Sequence, residues 1–311
     1  MSIAGENAPL LIVLGPTASG KTKLAVALAA ALDGEIISAD SRQVFRGMDI
    51  GTGKDLSEYS YKEKQIPYHN IDIKAAGERY HVDEFKRDFA VAYRNILQAR
   101  RLPILCGGTG MYIHSLLQNH AYTSVPVNPG LRDTLLDKSQ EELTMMLQRF
   151  PLELRAHADL STKKRLIRAI EVASYLSENQ LVKEVPLQAN PFVVGLLDDV
   201  DVRRKKIRRR LDLRLQNGMV EEVEGLLKAG VDAEMLRFYG LEYKIIVSYL
   251  QHELSYKEME EQLYNGICQY AKRQMTFFRK MEKDGVNIHW YQADIDTELL
   301  KNTILADFSN R

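Results

Sequence analysis

Cysteine is nearly absent from this chain of 311 residues: Cys106 and Cys268 are the only two, far apart in sequence. That excludes a disulfide framework and a cysteine-based zinc site, and Cys106, inside an apolar strand pattern, reads as a free thiol in a reducing compartment. Net charge is missing too. Forty-two Lys and Arg side chains balance forty-two Asp and Glu, so any affinity for a polyanion must come from local patches and not from a global field. No apolar run approaches membrane-spanning length, and the short one near the N-terminus carries neither a basic leader nor a cleavage site; a soluble cytoplasmic protein is expected. Metal-ligand spacing is lacking among His69, His81, His114, His120, His157, His252 and His289, which read as surface or core residues. The single tryptophan, Trp290, lies between apolar positions and reads as core.

What is present is concentrated near the N-terminus. GPTASGKT, comprising Gly15, Pro16, Thr17, Ala18, Ser19, Gly20, Lys21 and Thr22, fits G-x-x-x-x-G-K-[ST] at every fixed position. The apolar run Leu10 to Leu14 precedes it and an alanine-rich helix pattern, Lys23 to Leu32, follows. Strand, glycine loop and helix in that order make a P-loop of the nucleotide-binding, ATP-binding type. Backbone N–H groups and the helix N-terminus would face an anion, Lys21 would add a point charge, and the Thr22 hydroxyl is the candidate ligand for magnesium.

Further strands are predicted at Glu35 to Ala39, His69 to Ile73, Pro103 to Cys106, Phe192 to Leu197 and Asn287 to Tyr291. Between residues 118 and 191 the strand and helix alternation stops, opening with a Pro-, Asn- and Ser-rich loop and continuing in helical patterns. Helical periodicity fills 82–101, 202–230 and 256–283. The expected architecture is α/β: a P-loop NTPase-like parallel sheet core formed by 1–117 and 192–311, interrupted by a helical insertion at 118–191 and extended by C-terminal helices.

A P-loop fixes the anion and leaves the reaction open. Asp40 ends the next strand, followed by Ser41, Arg42 and Gln43, a cluster suited to a polar acceptor, with Asp40 the candidate general base. A helix-capping role is the bland alternative for Asp40, and a ligand-free tight turn is the alternative for Gly107 to Gly110, where Thr109 would meet the same crevice. Three basic segments, Lys163 to Arg168, Arg203 to Arg214 and Lys272 to Lys280, are solvated helix faces taken singly and an RNA footprint taken together. A small-molecule kinase or NTPase and a non-catalytic RNA-binding protein remain open at this level.

The motifs GPTASGKT (15–22), ISADSRQVFRGMDIGTGK (37–54), IPYHNIDI (66–73), PILCGGTGMY (103–112), KRLIRAIEV (164–172) and AKRQMTFFR (271–279) occur in one order. In this the chain resembles, along nearly its whole length, the tRNA dimethylallyltransferases, also called tRNA isopentenyltransferases or IPP transferases. The resemblance implies transfer of a dimethylallyl group from dimethylallyl diphosphate to N6 of the adenosine 3′-adjacent to the anticodon, with magnesium and release of diphosphate, by a monomer. It implies catalytic roles for Asp40, Thr109 and Lys21. It also implies tRNA contacts at Asp40, Ser41, Arg42, Gln43, Thr109, Arg132, Lys164, Arg165, Leu166, Ile167, Arg168, Arg237 and Tyr239. Leu241 and Glu242 depart from the Gly-Tyr-Arg or Gly-Tyr-Lys ending of many bacterial relatives.

Overall fold

A computed structural model of the protein describes residues 8–118, 121–156, 158–181 and 189–311; His120 and His157 lie outside them. The chain divides into two compact units, Met1–Leu117 with Leu187–Arg311, and Gln118–Pro186.

The first unit is built on a six-stranded, wholly parallel sheet. Its strands are β1 (Ala8–Leu14), β2 (Gly34–Ser38), β5 (Tyr68–His69), β6 (Leu102–Gly107), β7 (Ala189–Leu197) and β8 (Ile288–Gln292), in the spatial order β5-β2-β6-β1-β7-β8. A separate hairpin, β3 (Ser60–Tyr61) and β4 (Lys64–Gln65), lies apart from it. Central β1 is apolar on both faces, as a covered parallel strand must be. Leu10, Ile12 and Leu14 join one core with Ile37, Leu105 and Val193, whereas Leu11 and Val13 join the opposite core with Ile36, Ile104 and Val194. Helix α1 (Lys21–Leu32) and α13 (Thr297–Ser309) cover the second face. The first face is covered by α2 (Val82–Gln98), α3 (Gly110–Leu117), α8 (Val200–Gln216), α9 (Met219–Lys228), α10 (Ala233–Tyr239), α11 (Leu241–Leu250) and α12 (Tyr256–Lys283). The second unit packs α4 (Pro129–Leu135), α5 (Gln140–Gln148), α6 (Leu152–Arg155) and α7 (Lys163–Glu178) around Leu135, Leu143, Leu147, Leu166 and Ile170.

Two sequence expectations shift, and one helix adds to them. The strand expected at His69 to Ile73 is only Tyr68–His69, because Asn70 (φ 62°) and Asp72 (φ 56°) turn left-handed and end the ladder. Strand β7 begins at Ala189, three residues before its apolar run: Asn190 and Pro191 pair with Pro9 and Leu10 on one side, while β8 pairs only from Val193. Proline is tolerated there because that stretch is still an edge. The boundary expected between 191 and 192 therefore falls inside a strand. Finally α13, whose apolar pattern is weak, carries Leu300 and Ile304 into the core beside α1.

Candidate active site

The octapeptide connects the carboxyl end of β1 to α1. Gly15 is buried, and a β-carbon there would lie 2.7 Å from Ser19 Oγ. Ala18 (φ 62°) and Gly20 (φ 78°) are left-handed, the kind of backbone that turns successive N–H groups into a concavity. Lys21 Nζ donates to the Pro16 carbonyl at 3.4 Å, and burial holds its ammonium below the ordinary lysine pKa.

The ends of β2 and β6 meet beside this loop. Asp40 Oδ1 accepts the Arg42 N–H at 2.9 Å, closing an aspartate turn, and its second oxygen takes no hydrogen bond from the described residues. Thr109 Oγ1 accepts the Ser41 N–H at 3.1 Å, while the Thr109 N–H donates to the Ala39 carbonyl at 3.2 Å. A β-carbon on Gly107 would sit 2.3 Å from the Ala39 carbonyl oxygen. The glycine run is thus required for packing as well as for access. Gln43 Nε2 donates to the Gly53 carbonyl at 3.2 Å, joining the loop that follows.

These residues line a cavity of about 740 Å³ at the carboxyl edge of the sheet, where open α/β folds bind ligands. Thr17, Ala18, Gly20, Lys21, Thr22, Asp40, Ser41, Arg42, Gln43 and Thr109 reach it; Gly15, Pro16 and Ser19 lie behind it. Its opposite wall comes from the helices of the second and third basic segments, which the sequence offered as solvated helix faces or an RNA footprint and not as part of this cavity. Helix α8 supplies Lys206, Arg209, Arg210 and Arg214, and α12 supplies Tyr270, Arg273 and Gln274. The signal was available in the spacing, since 206, 209, 210 and 214 share one helical face while Ile207 and Leu211 turn to the core. Lys206 pairs with buried Asp198 at 2.8 Å, and Arg210 pairs with Asp55 at 2.9 Å. Arg214 Nη2 is buried with no hydrogen-bond partner among the described residues. Burial first, then neighbouring Arg210, pull the Arg214 pKa down to about 10, leaving it charged near neutrality. Gly53 has no side chain because Arg214 passes over it: an added β-carbon would meet the guanidinium at 1.5 Å. Unpaired guanidinium donors opposite an amide-lined loop make an anion cleft. Glu242 lines this cavity too, its carboxyl pKa raised by burial against the opposing pull of Arg214. Thr22 brings a hard hydroxyl oxygen to the cavity; among the described residues no group of three or more His, Cys, Asp or Glu could hold a metal ion by itself, so a magnesium ion here would depend on phosphate oxygens as well. The Cys106 thiol also lies at the cavity, buried, free and pushed up to about 12 by burial.

Of the other residues implicated by resemblance, Tyr239 borders this cavity and the rest fall elsewhere. Tyr239 is buried, its ring tilted against that of Phe45 at 4.4 Å, with its hydroxyl donating to the Glu78 carbonyl and accepting the Gly77 N–H, both at 2.6 Å. Arg237 is held by Ser248, Gln251 and Glu253. In the second unit, Arg132 forks onto buried Glu171 at 2.9 and 2.7 Å, and Arg168 donates to the carbonyls of Tyr122 and Val125. Leu166 and Ile167 belong to that unit's core, because their positions on α7 face α5 and not solvent. Their side chains are therefore turned away from the surface of α7, where any tRNA contact would be made by their neighbours or by backbone. Lys164 and Arg165 are exposed.

A P-loop opposed by an arginine wall, with a carboxylate at the adjoining strand end, defines an enzyme that handles a phosphorylated donor. Comparison with known proteins narrows the class. The model of the IPP transferase family matches residues 43–281, and that of isopentenyl transferase matches residues 8–72. A tRNA dimethylallyltransferase of Parabacteroides distasonis is 50% identical over 302 residues, covering 97% of this chain and 98% of the relative. One from Phocaeicola vulgatus is 50% identical over 294 residues, covering 94% and 95%. The crystal structure of the full-length tRNA isopentenylpyrophosphate transferase of Bacillus halodurans superposes with a TM-score of 0.69 at 30% identity, covering 98% of each chain. The chain belongs to the IPP transferase family. A eukaryotic dimethylallyltransferase acting on tRNA shares the fold, with a TM-score of 0.75 at 20% identity over 98% of this chain and 80% of that one.

Proposed function

We propose that this protein transfers the dimethylallyl group of dimethylallyl diphosphate to the exocyclic N6 of the adenosine 3′-adjacent to the anticodon of tRNA. The observation that carries the reading is the shared cavity, in which the P-loop and the arginines of α8 face one another and Asp40 and Thr109 stand at the adjoining strand ends. The exocyclic amine of adenine is a poor nucleophile because its lone pair is delocalised into the ring. A base that removes its proton as the C–N bond forms speeds attack, and Asp40 has a carboxylate oxygen free for this. The C–O bond to diphosphate breaks with its electron pair, so negative charge grows on the leaving group. Lys21, Arg210 and Arg214 stabilise that charge, and the loop amides add fixed dipoles. Thr22 would hold a magnesium ion with the diphosphate oxygens, and that ion would supply further charge neutralisation. Thr109 positions the turn that bears Asp40 through the Ser41 N–H. The acceptor base has to leave its stack to enter such a cavity, which agrees with a flipped adenosine.

We place the protein in the cytoplasm as a monomer; among the described residues no helix is long and apolar enough to cross a membrane. The deciding experiment incubates the protein with labelled dimethylallyl diphosphate and unmodified tRNA. Label entering tRNA without ATP supports the reading. Phosphorylation that requires ATP, with no label in tRNA, would replace it with a kinase.

A further inference from the structure

Gln274 stands between the two glycine loops. It is on α12, 7% exposed, and it makes two hydrogen bonds with opposite ends of its amide. Oε1 accepts the Thr17 N–H at 2.8 Å, and Nε2 donates to the Gly108 carbonyl at 2.9 Å. A rotated amide would set a donor against a donor and an acceptor against an acceptor, so the two partners fix its orientation. The fit is close. A β-carbon on Gly108 would lie 2.3 Å from Nε2, which accounts for glycine at that position. The Thr17 hydroxyl is approached as well, by Arg210 Nη1 at 3.5 Å.

Thr17 is the third residue of the P-loop, at its entry, and its N–H would otherwise be a donor for bound phosphate. In this chain Gln274 takes that donor. The amides at the start of α1 remain for the anion, since the first N–H groups of a helix have no partner within it. We infer that Gln274 is a specificity-determining residue that limits the P-loop to a diphosphate group by holding the entry amide that a third phosphate would need. The inference rests on the diphosphate-handling reading above and adds a reason why a P-loop of nucleotide-binding type would reject a triphosphate. Charge alone would favour the longer anion, which carries more of it, opposite Lys206, Arg210 and Arg214. Selection for the shorter one must therefore come from shape and donors. To admit a third phosphate, the buried amide would have to yield the Thr17 N–H to it and leave the Gly108 carbonyl unpaired, a condition that native structures avoid.

The test is calorimetric binding of inorganic diphosphate and inorganic tripolyphosphate to the full chain at one fixed free magnesium concentration. The wild type is expected to bind diphosphate at least tenfold more tightly. Gln274→Ala is expected to bring the ratio to about threefold or less through a gain in tripolyphosphate affinity, which a merely destabilised loop would not give. Equal affinities in the wild type overturn the inference whether or not the alanine variant folds, and so does an unchanged ratio in a folded Gln274→Ala. Failure of the wild type to bind diphosphate at all, with no prenyl transfer to tRNA, would instead sink the functional reading beneath it.

Discussion

The Ser41 N–H donates to Thr109 Oγ1 at 3.1 Å, and this bond fastens the turn bearing Asp40 to the glycine turn after β6. Two strand ends far apart in sequence thereby act as one rigid platform. Asp40→Ala should lower the rate of prenyl transfer by about 10²–10⁴, the usual worth of a general base, with tRNA affinity nearly unchanged. Single-turnover rates and filter binding on the same preparation check this. An unaltered rate removes Asp40 as the base.

Thr109→Val keeps the shape and removes the acceptor, leaving the Ser41 N–H without its partner. The expected result is a fall in turnover smaller than for Asp40→Ala, about tenfold, with donor KM unchanged because the P-loop is untouched. A rise in donor KM alone would assign Thr109 to the diphosphate instead.

Arg214 carries a buried, unpaired guanidinium donor on the cavity wall. Arg214→Ala should raise the KM for dimethylallyl diphosphate by about tenfold or more, the loss of a charge-assisted bond, and should weaken diphosphate product inhibition in parallel. Steady-state kinetics at several donor concentrations decide it. Unchanged inhibition by diphosphate would mean that Arg214 serves only packing.

Glu35 lies near the start of β2, buried, with His69 Nε2 at 2.6 Å and Arg101 Nη1 at 2.7 Å. Burial by itself would raise its pKa, but the hydrogen bonds from His69 and Arg101 outweigh that and the net shift is downward. A depressed carboxylate stabilises the fold fully above its unfolded pKa of about 4.3 and loses that contribution as pH falls through the lower, folded value. Glu35→Gln should cost about 2 kcal/mol at neutral pH, as hydrogen bonds to a charged group do. The difference from wild type should shrink below about pH 4, measured by urea unfolding across pH.

Within the second unit, the three consecutive positions Arg165, Leu166 and Ile167 separate surface from core. Leu166→Ala should destabilise by about 2–5 kcal/mol, as large-to-small core changes do. Arg165, exposed and paired with Asp159 at 2.8 Å, should leave the melting temperature nearly unchanged when replaced by alanine. If it contacts a tRNA phosphate, the same change should reduce the salt slope of binding by about one. Arg168→Ala should instead lower stability, because the carbonyls of Tyr122 and Val125 lose their shared donor.

The sequence by itself determined the local chemistry: the run Leu10 to Leu14 had to be a covered strand, the octapeptide after it had to turn into a phosphate cradle, and α12 ran from Tyr256 to Lys283 as its periodicity required. These follow from patterns confined to one element, where spacing and glycine placement decide. Tertiary structure decided which basic residues face the cavity and which do not. Arg210 meets the P-loop and Arg214 lines the same cavity because Ile207 and Leu211 seat α8 on the sheet's core, a contact between segments almost two hundred residues apart. Packing likewise turned Tyr239 and Leu166 inward and set Gln274 between Thr17 and Gly108. Charge on a helix is legible from its sequence; the direction in which that charge points depends on what its apolar face buries against.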